Sequence, residues 1–266
     1  MPFTLAHPAA ILPLYKRGNL FSSFSALCIG SMSPDFIYFL PLEISRHTTH
    51  TFAALFWFCL PLGLIAYFLF HHLLKLPLWF ILPQALRKRL QPFAFNNQTI
   101  GIKQIAILIL CILAGAATHL IWDLFTHPSV ITESWLPFLS TTLYEGHGQI
   151  VKVYRLLQHG SNTMGFIVLG VSLKLFLQIE EPAVEEPLKW ANSLRNGLRL
   201  TIILSILFVG VYSGLAALEF EQTTRKITYF VRYFIVNGMN AALTTILLAG
   251  LGWILLKQKH STDASE

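Results

Sequence analysis

Five stretches of this chain are apolar over enough residues to cross a lipid bilayer, and no other feature restricts its fold as strongly. They run over roughly 51–74, 102–126, 163–179, 200–218 and 229–256. A hydrocarbon core about 30 Å thick takes about 20 helical residues to cross. The fold class expected is therefore all-α, a polytopic transmembrane helical bundle with five to six membrane segments. The sixth stretch, 20–40, is apolar but interrupted by Gly30-Ser-Met-Ser-Pro34, where proline disfavours a continuous helix.

Composition agrees. The chain is 54% hydrophobic and only 12% charged, with a mean hydropathy of +0.58, whereas soluble domains carry about a quarter charged residues. The net charge of +6 does not point to nucleic acid, because the basic residues lie between apolar segments and are not massed on one face. Cys28, Cys59 and Cys111 all fall inside apolar stretches and read as small buried hydrophobes. The first residues lack the basic and apolar regions of a signal peptide, so membrane delivery is expected from the spanning segments themselves.

Basic residues give the expected orientation. Lys75 and Arg87-Lys88-Arg89 lie in one connection, Lys189, Arg195 and Arg199 in another, and Lys257 and Lys259 in the tail. If five segments alternate, all three groups share a side, which the positive-inside rule makes cytoplasmic. The acidic run 180–187 reads as a solvated linker. His47, His50, Asp123, His127 and the loop 127–162, with Glu133, Glu145, His147 and His159, then share the opposite side. His71 and His72 fall at the cytoplasmic end beside Lys75.

The segment 102–126 carries the chemistry. After the unbroken apolar run Ile105–Ala117 come His119, Asp123 and His127, spaced i, i+4 and so on one helical stripe. Ionisable groups at a membrane boundary are costly to desolvate and normally have a partner or a function. Three other pieces could converge on them: His7, Asp35 in Ser33-Pro-Asp35, and His47-Thr-Thr-His50. Imidazoles mixed with carboxylates suit zinc, manganese or iron. A metal held this way could acidify water and polarise a phosphoryl or carbonyl oxygen. Plainer readings stand beside that one. Ser33-Pro-Asp35 is also a good helix start, His47 and His50 are ordinary interfacial polarity, and His119 with Asp123 could form an interhelical hydrogen-bonded pair. His147 and His159 read as solvated, and Trp57, Trp79, Trp122 and Trp135 as an aromatic belt. No P-loop, G-x-S-x-G, dinucleotide fingerprint or H-E-x-x-H is present.

Taken together, the Met1–Ala10 stretch with His7, Gly30–Asp35, His50-Thr-Phe, Thr118–His127 and Leu156–Ser161 resemble a bacterial membrane family known as domain of unknown function 4184. The likeness covers most of 1–165, with 166–266 resembling it as additional transmembrane helices in one integral membrane domain. More distantly, the order of motifs is similar to membrane-bound metal-dependent hydrolases and zinc-dependent phospholipase C. That similarity implies His7, Asp35, His50, His119 and Asp123 as metal ligands, with His47 and His127 secondary. The hydrolases show Asp-x-Asp-His after the proline where this chain reads Asp35-Phe-Ile-Tyr, and His-Arg-Gly where it reads Arg46-His47-Thr. The resemblance also favours a broken 20–40 helix packed in the bundle, which brings His7 and Asp35 to the outer cluster, over a sixth span. The function it implies is a metal-dependent hydrolase of phosphoester or lipid-type substrates. The partners expected are the lipid bilayer of the bacterial inner membrane and, as the resemblance implies, a lipid or phosphoester substrate, without nucleic acid. The alternative is a non-enzymatic transport, assembly or metal-handling protein whose His/Asp cluster is a structural polar network.

Overall fold

All five apolar runs form helices long enough to cross a membrane, over Leu55–Ile81, Ile102–Thr126, Val153–Leu177, Asn192–Glu219 and Lys226–Leu255. The chain is a mostly helical, multi-pass membrane protein. Its outward surfaces stay apolar, with Leu110, Phe208 and Leu248 exposed as lipid-facing positions require. The computed structural model describes residues 4–14, 21–40, 42–96, 101–146, 149–179, 192–220 and 226–263. Lys16, Arg17, His147, Lys189 and the 180–187 linker lie outside the described residues.

Two boundaries differ instructively from expectation. The third helix begins at Val153, ten residues before the start expected from hydropathy, because Tyr154, Arg155, Gln158 and His159 are polar but their backbone still closes its own hydrogen bonds. The first runs on to Ile81 despite Pro61 and Pro77. It does so through π turns at Leu55–Cys59 and Phe70–Leu74, each just ahead of a proline that interrupts the i→i−4 ladder. The regular parts of this helix are α3 (Leu60–Leu69) and α4 (Lys75–Ile81).

The chain divides into two compact units, Met1–Tyr67 with Gln98–Ile179 and Phe68–Asn97 with Glu180–Glu266. The first is built on α1 (Phe21–Met32) packed against α6 (Ile102–Thr126). Glycines make that approach possible. A Cβ on Gly30 would overlap the Ile112 carbonyl oxygen, and one on Gly115 the Leu27 carbonyl oxygen. Ala26, Tyr67, Leu108 and Ile112 fill one layer of this core. A second layer holds Ile37, Leu55, Phe58 and Ala116. The stretch 20–40 is a broken helix: α1 gives way to a 3-10 turn, Ser33–Phe39, at Pro34, and it is not among the five long apolar helices. A second 3-10 segment, Thr4–Leu14, packs on α1 and on α8 (Val153–Leu177). There Ala6 is wholly buried and lies over Gly165. The four-residue helix α2 (Arg46–Thr49) starts at Ser45, whose hydroxyl accepts the Thr48 N–H at 3.2 Å.

The connection between α6 and α8 is more structured than the expected loop. It contains α7 (Val130–Trp135), a 3-10 turn at Pro137–Ser140 and an antiparallel hairpin of β1 (Thr142–Gly146) and β2 (Gln149–Lys152). The hairpin is a local addition to a mostly helical bundle, whose expected all-α class stands. Leu143, Tyr144, Ile150 and Val151 supply the hairpin's strand-forming side chains.

In the second unit α9 (Asn192–Phe220) and α10 (Lys226–Asp263) pack antiparallel. Gly210 lies against Phe234, Gly214 against Phe230 and Gly238 against Ile206. The Leu73 carbonyl, which Pro77 cannot bond, faces Gly250 closely enough that a Cβ there would overlap it. Trp79, Phe80 and Ala94 form the core with α5 (Gln84–Ala94). Helix α4 ends before Pro83, and three arginines take its last carbonyls. Arg195 Nε donates to Phe80 O at 3.0 Å, Arg199 Nε to Ile81 O at 2.8 Å, and Arg87 Nη1 to Leu82 O at 3.0 Å. Cations on the negative end of a helix dipole are favourable twice over, through charge and through the orphan carbonyls. Trp79 is an internal anchor, not a belt residue: it is buried and its Nε1 donates to Arg87 O at 2.9 Å.

Candidate metal centre

Four separate pieces of the first unit bring polar side chains to one buried place. The Thr4–Leu14 segment contributes His7 and the 3-10 turn after α1 contributes Asp35, while His50 closes α2 and α6 supplies His119 and Asp123. His7, Asp35 and His119 are each at most 1% exposed, and Asp123 is 7% exposed. The i, i+4 spacing of His119 and Asp123 puts His119 Nε2 3.5 Å from Asp123 Oδ2.

The distances converge. His50 Nε2 lies 3.2 Å from Asp35 Oδ1 and 3.3 Å from Asp123 Oδ2. His119 Nε2 lies 3.8 Å from Asp35 Oδ2. His7 stacks on His119 with ring centroids 3.9 Å apart and 12° between planes. Its Nε2 is 4.0 Å from Asp123 Oδ1. Among the described residues, two triads have candidate ligand atoms all within 4.8 Å of one another: His7, His119 and Asp123, and Asp35, His50 and His119. Donors at bonds of about 2.1 Å around a tetrahedral zinc stand roughly 3.4 Å apart, so the shorter contacts match the edges of such a shell.

Backbone carbonyls fix the protons. Ser31 O is 2.8 Å from His119 Nδ1, and Arg46 O is 3.0 Å from His50 Nδ1. A carbonyl only accepts, so each Nδ1 carries hydrogen and each Nε2 faces the carboxylates. The hydrogen bond from Nδ1 to a backbone carbonyl is the usual support of a metal-ligating histidine. Both Nε2 atoms are buried, and neither makes a hydrogen bond of acceptable geometry despite the close oxygens. Because Nδ1 of His119 is taken, only its Nε2 can ligate. The two triads therefore share one nitrogen and cannot both be filled through it.

One cation is already present. Arg46 Nη2 donates to Asp123 Oδ2 at 2.5 Å. Around this centre, His127 Nδ1 is 3.1 Å from Asp123 Oδ1, and His127 Nε2 is 2.8 Å from the Gln158 side-chain amide. Trp122 tilts against His7 at 5.4 Å and donates through Nε1 to Ser161 Oγ at 3.1 Å, which makes it part of the site's wall.

Of the seven residues singled out from the sequence, His7, Asp35, His50, His119 and Asp123 stand together. His127 touches the centre through Asp123, and His47 is exposed and belongs to neither triad. His159 is also exposed, and it lies within α8. Sequence reasoning missed three participants. Arg46 had a signal, being the one basic residue beside His47-Thr-Thr-His50. The Ser31 carbonyl had none, since any residue supplies a carbonyl. Gln158 lies in the Leu156–Ser161 stretch that carries the resemblance, but its His127 partner is given only by the fold that brings α8 to α6.

The chain belongs to the family described as Domain of unknown function (DUF4184), which it matches over residues 1–251. The match continues through the later helices, well past the 1–165 that motifs had indicated. No curated protein matches the chain, and no solved structure matches it. The likeness to metal-dependent hydrolases and phospholipases thus has no named relative behind it.

Proposed function

We propose that this DUF4184 protein holds one divalent metal ion, zinc first among the candidates, and uses it to hydrolyse a phosphoester of lipid or envelope origin. One observation carries the reading. The Nε2 atoms of His50 and His119 are buried, have their tautomer set from behind, and sit among carboxylate oxygens at ligand-like separations without hydrogen-bond geometry. Atoms arranged to hydrogen-bond one another would align in pairs, whereas these lie 3.2 to 3.8 Å apart without pairing. His50, His119, Asp35 and Asp123 are the proposed ligands, with His7 a fifth donor beside His119. A bound divalent ion would supply Lewis acidity and acidify water. The chain's own part is to hold the donors, keep both Nδ1 protons on backbone carbonyls, and steady Asp123 through His127.

The setting proposed is the bacterial inner membrane, with this end of α6 away from the cytoplasm. That follows the positive-inside distribution of Arg87, Lys88 and Arg89. A membrane-impermeant thiol reagent should label a cysteine placed at His47 in intact cells; protection there would reverse the orientation.

Metal content of detergent-purified protein tests the site. We expect close to one equivalent in the wild type and a loss of more than about 100-fold in affinity for His119→Ala with Asp123→Ala, since even supporting residues are worth about 10- to 100-fold. Absence of metal after mild purification and zinc reconstitution would overturn the reading. Metal-dependent turnover of phospholipids or phosphoesters then tests the chemistry. A second reading is favoured by the Arg46–Asp123 ion pair, which already supplies one balancing charge: a structural His/Asp network. It is the outcome if no metal binds and folding persists.

A further inference from the structure

The Arg46 guanidinium sits where a metal ion and a substrate would both be felt. Its Nη2 shares Asp123 Oδ2 with the Nε2 atoms of His50 and His119, so it approaches the very oxygen a metal would need. The side chain is 28% exposed, and its Nε is buried without a hydrogen-bond partner. A buried cationic N–H left unpaired is costly. Charge points the same way. Asp35 and Asp123 contribute two negative charges, and a divalent ion with Arg46 contributes three positive ones, leaving one unbalanced positive charge until a bound water ionises. A neutral ester or amide leaves that charge unmet. A phosphodiester carries one negative charge and presents paired oxygens that match a guanidinium fork.

We propose that Arg46 is the substrate-selecting residue of this site, held on Asp123 by Nη2 and binding an anionic phosphoryl group through its remaining N–H donors. The inference rests on the metal reading above and names the substrate class: a phosphodiester anion, whether a lipid headgroup or a soluble diester. In the unloaded protein the same guanidinium occupies Asp123 in place of the metal. Removing it therefore leaves metal binding equal or tighter while anion binding falls.

The test uses full-length protein in detergent, loaded with Mn2+, with inorganic phosphate as the probe followed by phosphorus NMR relaxation. Metal content is measured on the same samples. Phosphate should bind the loaded wild type, and Arg46→Gln should weaken it roughly 10- to 100-fold, as expected for losing a hydrogen bond to a charged partner. Arg46→Lys should fall between, keeping charge but losing the fork. Equal phosphate affinity in wild type and Arg46→Gln at equal metal content overturns this inference and leaves the metal reading intact. A wild type that takes up no metal overturns both. If Arg46→Gln fails to fold, Arg46→Lys decides: binding indistinguishable from wild type overturns the fork, and weaker binding with retained metal supports it. Competition by short-chain phosphatidylglycerol against dimethyl phosphate separates a lipid from a soluble source.

Discussion

The two units of this protein bury charge in opposite ways. In the second, Arg87, Arg195 and Arg199 are drawn to the end of α4, where the Phe80, Ile81 and Leu82 carbonyls receive them. Arg195 also lies over the Phe80 ring at 5.0 Å. In the first, two carboxylates and three imidazoles meet one guanidinium, and the Nε2 atoms of His50 and His119 are left without hydrogen bonds. Buried polar groups are ordinarily paired. A cluster that satisfies itself secures a fold; the unpaired Nε2 atoms of the other are what the proposed metal reading rests on.

That contrast can be broken by substitution. The largest effect is expected from Gly115→Ala. Its Cβ would meet the Leu27 carbonyl and Ser31 N, pushing α1 from α6 and moving the Ser31 carbonyl that holds His119. We expect about 1–3 kcal/mol of destabilisation by overpacking, with a metal affinity loss of roughly tenfold or more. Thermal unfolding and metal titration measure the two. Unchanged metal affinity would detach the site from the α1–α6 packing.

Arg195→Leu should cost about 1–3 kcal/mol, because it leaves the buried Phe80 carbonyl without this donor. Metal content should stay at the wild-type level. A variant that unfolds at lower temperature and also loses metal would erase the distinction between a structural and a ligand-binding cluster.

The smallest effect is expected from Gln158→Leu. It frees His127, which reaches the centre only through Asp123, so metal affinity should fall by less than about tenfold. A loss as large as that from His119→Ala would make His127 a direct ligand.

Much of this was legible from spacing. An i, i+4 pair on a helix is a geometric fact before any tertiary structure exists, so His119 and Asp123 were bound to share a stripe. His50, Asp35 and His7 were visible only as isolated polar residues with ordinary explanations. Pro34 marked where α1 breaks but not that the break buries Asp35. The hairpin at Thr142–Lys152 was hidden because the segment was weighed by hydropathy, which is blind to alternation across so few residues. Trp79 and Trp122 were read as belt residues because their indole N–H partners, Arg87 O and Ser161 Oγ, come from elements that sequence does not place.

The sequence by itself determined that five helices are apolar and long enough to cross a bilayer, because backbone hydrogen bonding and hydrophobic length are local properties. It also determined that His119 and Asp123 share one helical stripe, with His127 following at the helix end. Only the tertiary structure decided that His7 stacks on His119, that Asp35 and His50 complete the cluster, and that Arg46 closes on Asp123. These contacts join residues far apart in the chain, and the small residues that let α1 meet α6 are what bring them within reach.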